Sequence, residues 1–391
     1  MNFREEAEKI EDYIIGQRRY FHQHPELSFE EKETTAAIGR QLEEMGIEPH
    51  YFDNYYGVWG EIKGGLSGDK DRTVLLRADI DALPVEEQTG LPYASVAKGV
   101  MHACGHDCHI AMLLGAAKVL KDHQSELQGN VKLLFQAAEE SCHGAEYYVE
   151  NGLLDDVDAV YGSHVWGDMD APFLNVDPGE RMASCDNFTI TVSGFSAHGS
   201  SPHQGVDAIV AAAAIIMQLQ SIVSRKNDPR NALVVTIGEI NGGERFNIIA
   251  NRVVMKGTVR THSKEVRGKV EEWIRDIVVN TAKANGAEAV LDYEYYPAPL
   301  INDEKLTAIA RNAAISLYGE ESVVPLEKAM GSEDFSYYLD KVPGVYAFIG
   351  TRNSGQGIEA SNHNNCFTVD ESMLTRGTAL YAQFAYDYLH S

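Results

Sequence analysis

No stretch of this 391-residue chain concentrates positive charge. Lys plus Arg number 33 against 58 Asp plus Glu, a formal net charge of −25. Phosphate binding needs clustered Lys and Arg, so nucleic acid and anionic membranes are not expected as partners. The acid excess serves solubility. Long apolar runs are missing too: the longest, Ala208 to Met217, is broken by Gln218 and is too short to cross a bilayer. The N-terminus, MNFREEAEKIEDYI, reads as an acidic amphipathic helix and lacks the basic and apolar regions of a signal peptide. A soluble cytoplasmic protein is the expectation. Cysteine is sparse, with Cys104, Cys108, Cys142, Cys185 and Cys366 as the full set. Five is an odd number and no disulfide framework. In a reducing compartment a cysteine near histidines is more naturally a metal ligand or a nucleophile. Low-complexity tracts and short-period repeats are absent.

What is present suits two domains. The length exceeds one ordinary core, and 44% of the residues are hydrophobic. Residues 1–50 read as two helices around a loop, with Glu30, Glu31 and Glu33 enriching the start of the second. Short strands then alternate with helices: Val74 to Arg77, a helix from Ile110 to Leu120 with Asp107 as a possible cap, Val131 to Phe135, and Ala159 to Tyr161. This order predicts an α/β fold with a mostly parallel or mixed sheet and helices on both faces. Near Cys185 the pattern changes. Phe188 to Val192 alternates as a half-buried strand. A long Ala-rich helix (Val206 to Val223), two strands (Ala232 to Ile240 and Arg252 to Arg260), a helix (Lys264 to Ala284) and a strand (Ala287 to Tyr296) follow. The order βαββαβ is ferredoxin-like α+β. It predicts an inserted domain, 185–296, within a discontinuous first domain, 1–184 and 297–391.

The chemistry-bearing residues fall into four clusters. MHACGHDCH, Met101 to His109, places Cys104 and His106 two apart, so that both side chains can face one ion from an extended loop. It lies just before a predicted helix, where backbone N–H groups favour a thiolate. Glu139 and Glu140 follow the strand ending at Phe135. Paired carboxylates can divide their labour, one binding metal and one taking a proton from water. His164 follows the third strand, and His363 sits in SNHNNCF. The first three clusters lie at the C-terminal ends of strands, the edge where open α/β sheets bind ligands. Thiolate, imidazole and carboxylate together suit Zn²⁺, Mn²⁺, Co²⁺ or Ni²⁺ better than Mg²⁺ or Ca²⁺. Five ligands exceed one closed tetrahedral site and suggest two ions.

These segments carry a resemblance. MHACGHDCH, RADIDALPVEEQTG, FQAAEE, GSHVWG, HGSSPHQGVDAI, GTVRT and GSEDFSYY are similar, in order, to the motifs of one metallopeptidase family. That family holds aminoacylase-like amidohydrolases, hippurate hydrolases, auxin-conjugate hydrolases and N-acetyl-diaminopimelate deacetylases. The likeness runs from about Arg18 to the last helix. It implies a zinc-exopeptidase-like catalytic domain with an inserted lid and dimerisation domain. It implies two divalent ions held by Cys104, His106, Glu140, His164 and His363, with Glu139 as general base. Asp79 and Asp81 match a segment where more distant relatives carry a ligand histidine and its partner aspartate. No histidine stands there in this chain, so Cys104 takes over part of the coordination, and the two aspartates are assigned to orienting the ligands. The resemblance further implies His198 as a lid histidine that donates to the oxyanion, often reaching a neighbouring subunit. Asn247 and Arg260 are implied to bind a substrate carboxylate, and the turn at Gly331 to lie at the substrate.

The implied activity is hydrolysis of an N-acyl amino acid, N-acetyl or N-benzoyl, by a homodimer or a higher oligomer. Three other readings remain open: a dipeptidase or aryl-amide conjugate hydrolase, a non-catalytic metal-binding protein, and a cysteine hydrolase using Cys104 with His106. The last leaves Glu140, His164 and His363 without a role. The binding protein has no need of Glu139.

Overall fold

The computed structural model describes residues 1–66 and 72–391. The chain forms two compact units. The first comprises Met1–Gly179, Ile301–Glu327 and Asp334–Ser391, and the second Glu180–Leu300 and Lys328–Glu333.

Seven strands make the sheet of the first unit, in the order His50–Phe52, Tyr55–Lys63, Asn130–Gln136, Thr73–Asp79, Ala159–Asp170, Gly344–Arg352 and Leu174–Asn175. The four from Asn130–Gln136 to Gly344–Arg352 run parallel, and the outer strands are antiparallel. Thr73–Asp79, TVLLRAD, is buried at every residue, so both of its faces are covered. Helices His106–Asp122 and Ser372–Leu389 pack against it and against each other. The fold is therefore the α/β class expected, with a mixed sheet.

Several local expectations are corrected. The N-terminal region holds three helices, Phe3–Lys9, Glu11–Gln23 and Lys32–Glu44. The third is capped from outside by the Glu26 carboxylate, which accepts from the backbone N–H groups of Glu33 (3.1 Å) and Thr34 (2.7 Å). Glu31 is turned inward and is fully buried. Strand Tyr55–Lys63, YYGVWGEIK, mixes aromatics and glycines without clean alternation, and the sequence pattern misses it. Asp107 does not cap its helix. Gly105 takes the cap position in a left-handed conformation, and no side chain caps it.

The second unit is a four-stranded antiparallel sheet in the order Glu288–Glu294, Asp186–Ser193, Arg252–Thr261 and Leu233–Gly242. Phe188, Ile190 and Val192 alternate inward, as period-2 burial requires. They share a core with Val266, Val270, Ile274 and Val278, spaced at one helical face of Lys264–Ala284. Asp207 caps helix Ala208–Ser221, and Ser263 caps Lys264–Ala284. Asp186 is fully buried and accepts from Arg267 (Nη2 2.7 Å, Nε 3.0 Å), the Tyr293 hydroxyl (3.1 Å) and the Tyr296 backbone (3.2 Å).

Removing one partner of a buried ion pair costs about 3–5 kcal/mol. Asp186→Ala is therefore expected to destabilise this unit by that order. Amide hydrogen exchange should show lost protection over 186–294 while the central strand Thr73–Asp79 keeps its own.

Candidate active site

The parallel strands of the first unit bring four loops to one edge. Cys104 and His106 come from the start of helix His106–Asp122. Gly105 between them has φ 97°, and a Cβ there would lie 2.3 Å from Val165 Cγ2. Only glycine allows this turn. His164 lies inside strand Ala159–Asp170 rather than after it, because the strand continues past the pairing with Thr73–Asp79, which ends at Gly162. It still reaches the same edge. Glu139 and Glu140 form a short 3₁₀ turn after strand Asn130–Gln136, flanked by Ala138 and Cys142, each at φ 61°. His363 has φ 67° and donates its backbone N–H to Ala103 O at 2.7 Å. Left-handed backbone outside glycine costs on the order of 1–3 kcal/mol per residue and gathers at functional sites.

The side chains converge. Cys104 Sγ lies 3.4 Å from His164 Nε2 and 3.3 Å from His363 Nε2. Glu140 Oε1 lies 3.6 Å from His363 Nε2 and 3.9 Å from His106 Nε2. Ligand atoms of Cys104, His106 and His164 all fall within 4.8 Å of one another, as do those of Cys104, Glu140 and His363. Two groups overlapping at Cys104 suit two ions.

Three further observations fit metal at this place. His106 Nε2 and Glu140 Oε1 are buried and have no hydrogen-bond partner among the described residues, a costly state unless an ion satisfies them. Two of the histidines are turned by their other nitrogen. His106 Nδ1 faces Asp81 O (2.9 Å) and Oδ1 (3.2 Å), and His164 Nδ1 donates to Val165 O (2.6 Å). Both Nε2 atoms are thereby left to face inward, the arrangement in which imidazole binds metal. The charge is also unbalanced. Burial, with Glu140, Glu139 and Asp79 nearby, pushes the Cys104 thiol well above its ordinary range. Burial likewise pushes Glu140 up, helped by Asp81 and Asp79 and opposed by His106. At His106 burial opposes the charged form, but Asp79, Asp81 and Glu140 outweigh it and push the ring up to about 10. Burial holds His164 well below the usual imidazole range. A buried cage that gathers protons in this way is one that divalent cations would stabilise.

Asp79 and Asp81 both touch the ligands. Asp81 Oδ2 accepts from Ser28 Oγ (2.7 Å) and from Glu140 N–H (3.0 Å), so it holds a histidine and a glutamate loop together. Asp79 Oδ1 lies 2.5 Å from His109 Nδ1 and 3.8 Å from His106 Nε2. His109 received no role from sequence. Val165 N–H donates to its Nε2 at 2.9 Å, which puts its proton on Nδ1, toward Asp79. Arg18 and His22 were missed as well: both donate to Asp107 Oδ2, at 2.9 and 2.8 Å, and anchor the helix that carries His106. The long sequence separation of that contact hid it.

His198, Asn247, Arg260 and Gly331 belong to the second unit. His198 is exposed, and its Nδ1 accepts from Ser200 N–H (3.1 Å), which leaves Nε2 as the N–H donor. Asn247 lies on the adjoining segment, where its carbonyl accepts from Gly199 N–H at 2.8 Å. Arg260 Nη1 donates to Ser332 Oγ at 3.1 Å, beside Gly331, whose carbonyl accepts from Ala183 N–H at 2.9 Å.

The sequence model of peptidase family M20/M25/M40 matches residues 75–387. The chain belongs to this family. An N-acetyl-L-cysteine deacetylase of Bacillus subtilis is 42% identical over 94% of the chain and 86% of its own length. An IAA-amino acid hydrolase of Arabidopsis thaliana is 38% identical over 97% and 86%. Among solved structures, a dinuclear metal-binding M20 peptidase from Bacillus subtilis superposes with a TM-score of 0.86 at 37% identity, covering 98% of this chain and 99% of that one. This M20 member is thus a metal-dependent hydrolase of amide bonds, and its clustered ligand atoms fit two divalent ions.

Glu31 supplies a pH test of the loop behind the glutamates. Its Oε1 accepts from Ala138 N–H at 2.7 Å. Burial, with Asp81 adding, raises it from 4.5 to about 8. A carboxyl raised on folding binds its proton more tightly in the folded state, so stability falls as pH rises between those values. Thermal melts of the metal-free protein should show this fall from about pH 4.5 to about 8, and Glu31→Gln should flatten it.

Proposed function

We propose that the chain hydrolyses N-acyl-L-amino acids, of N-acetyl or N-benzoyl type, to a carboxylate and a free amino acid. The observation that carries this reading is the division between Glu139 and Glu140. Glu140 faces His363 and His106, while Glu139 lies with Oε2 4.0 Å from His106 Nε2 and Oε1 accepting from Asp334 N–H at 3.4 Å. One carboxylate thus joins the ligands, and its neighbour sits beside them as a base. The relatives described above support the substrate class, since an N-acetyl-L-cysteine deacetylase and an IAA-amino acid hydrolase are both named for amino acid conjugates.

Cys104, His106, Glu140, His164 and His363 would hold the two ions, with Asp79 and Asp81 orienting them. When bound, divalent ions supply Lewis acidity and make a nearby water acidic near neutral pH. Glu139 takes the proton of the attacking water and returns it to the leaving amine, help worth about 10²–10⁴ in rate. His198, with its proton on Nε2, donates to the oxyanion. Arg260 suits a two-pronged contact to the substrate carboxylate, and the resemblance gives Asn247 and the turn at Gly331 the same binding role. A homodimer through the second unit accompanies this reading. Strand Leu233–Gly242 is an edge strand, and Ile240 on it and Val210 and Met217 on helix Ala208–Ser221 are exposed. A cytoplasmic setting agrees with five cysteines of which none forms a disulfide.

The deciding experiment is elemental analysis of the purified protein, followed by a panel of N-acetyl, N-benzoyl and dipeptide substrates with Mn²⁺, Co²⁺, Ni²⁺ and Zn²⁺. Hydrolysis is expected on the N-acyl amino acids. It should be abolished by a chelator and restored by metal. Turnover of dipeptides or aryl-amide conjugates alone would move the assignment to those classes. Glu139→Gln should lower kcat by about 10²–10⁴ with the metal content unchanged. A variant with wild-type turnover would remove Glu139 as the base.

Arg260→Ala should raise KM for N-acyl amino acids far more than for the corresponding amides, which lack the carboxylate. Equal effects on both would place the contact elsewhere.

A further inference from the structure

Arg77 stands in a strand otherwise built for the core. Its side chain is 1% exposed, and its guanidinium spans two carboxylates. Nη1 donates to Asp79 Oδ2 at 2.6 Å, and Nη2 donates to Asp334 Oδ1 at 2.8 Å. Nε donates to Gln136 Oε1 at 2.7 Å. Each carboxylate has a second duty. Asp79 holds His109 and lies against His106. Asp334 accepts from Gln136 Nε2 and from Ala145 N–H, both at 2.8 Å, through Oδ2, and its own backbone N–H points at Glu139 Oε1. The Tyr338 hydroxyl donates to Gln136 Oε1 at 2.9 Å and closes the network.

We propose that Arg77 is a positioning residue for the general base. By bridging Asp79 and Asp334 it fixes the backbone N–H that orients Glu139 relative to the ligand edge. Burial opposes the charge on Asp79, and His106, His109 and Arg77 hold it ionised. A buried carboxylate at Asp334 likewise needs a counter-charge to stay where it is. Only a planar fork can satisfy both at once; an ammonium is a single point charge. The Asp334 contact to Glu139 is long, so a small shift of this loop releases the base. Misplacement of a catalytic group by about 1 Å can cost on the order of 10²-fold in rate.

This inference rests on Glu139 as the base, and the test separates the two claims. The measurement is a double-mutant cycle on the metal-loaded full chain with an N-acetyl amino acid substrate. It compares wild type, Arg77→Lys, Glu139→Gln and the double variant. Arg77→Lys is expected to lower kcat by about 10²-fold with KM within about twofold. In the Glu139→Gln background the same change should cost less than about threefold, because nothing remains to be positioned. Metal content and the visible spectrum of the Co²⁺-loaded protein should match wild type, which separates a displaced base from a damaged metal site.

Asp334→Asn breaks the bridge from its other end and should repeat both results. It also carries the test if Arg77→Lys does not fold. Multiplicative losses in the cycle would overturn the positioning role while leaving Glu139 as the base. A Glu139→Gln variant with wild-type turnover would remove the base and this inference together. Loss of fold or of bound metal in both bridge variants would make the network a structural one and overturn the proposal.

Discussion

The first unit gathers more acidic and thiol groups at one sheet edge than its own cations can pair. Asp79, Asp81, Glu139, Glu140 and the Cys104 sulfur meet there, all inside or nearly so. The protein neutralises what it can. Arg77 takes Asp79 and Asp334, and Ser28, His106 and the Glu140 backbone take Asp81. Glu140, Cys104 and the inner nitrogens of the histidines remain. Without an ion they hold protons instead, with Cys104 and Glu140 pushed up and His106 kept charged, and bound cations would take the place of those protons. The affinity for metal is thus written into the fold's electrostatics as well as into the reaction.

Meeting that requirement shapes the backbone. Ala138, Cys142 and His363 adopt left-handed conformations on the loops that present ligands, and Gly105 does so between Cys104 and His106. None of these turns is one that an ordinary loop would choose. They persist because the strands beneath are buried on both faces and the helix behind Cys104 is anchored by the Arg18–Asp107–His22 contacts. Rigidity in the core offsets strain at the edge, and the ligands arrive already aimed.

How much of this was legible in the sequence depends on how local each signal is. Helix Lys264–Ala284 was read with its bounds intact because Ser263 caps it and its apolar residues repeat at 3.6. The convergence of Cys104, His106, Glu140 and His164 was legible although only Glu140 follows a parallel strand directly; Cys104 and His106 open a helix and His164 lies within its strand. His363 needed the family motif. Asp107 was misread as a cap because the capping rule looks only at neighbours, whereas its partner Arg18 lies 89 residues away. His109 and Arg77 were passed over for the same reason. Arg77 is polar in an apolar strand and His109 in a buried helix, and neither has a local pattern that points to its distant partners, Asp334 and Gln136 for Arg77 and Asp79 and Val165 for His109. His164 was placed one element too late because GSHVWGDMD does not look like strand, although Gly344–Arg352 pairs along it.

That last pairing has a consequence for how the molecule comes into being. Strand Gly344–Arg352 docks beside Ala159–Asp170 only after the whole of residues 171–343, and most of that excursion is the second unit. Contacts between segments far apart in sequence are slow to form, and a chain emerges from the ribosome at about 5–20 residues per second. The strands of the βαββαβ unit are all supplied between Asp186 and Glu294, before the host sheet receives an inner strand. His363 emerges later still. The group of Cys104, Glu140 and His363 is therefore the last to have all its members made, long after Cys104, His106 and His164.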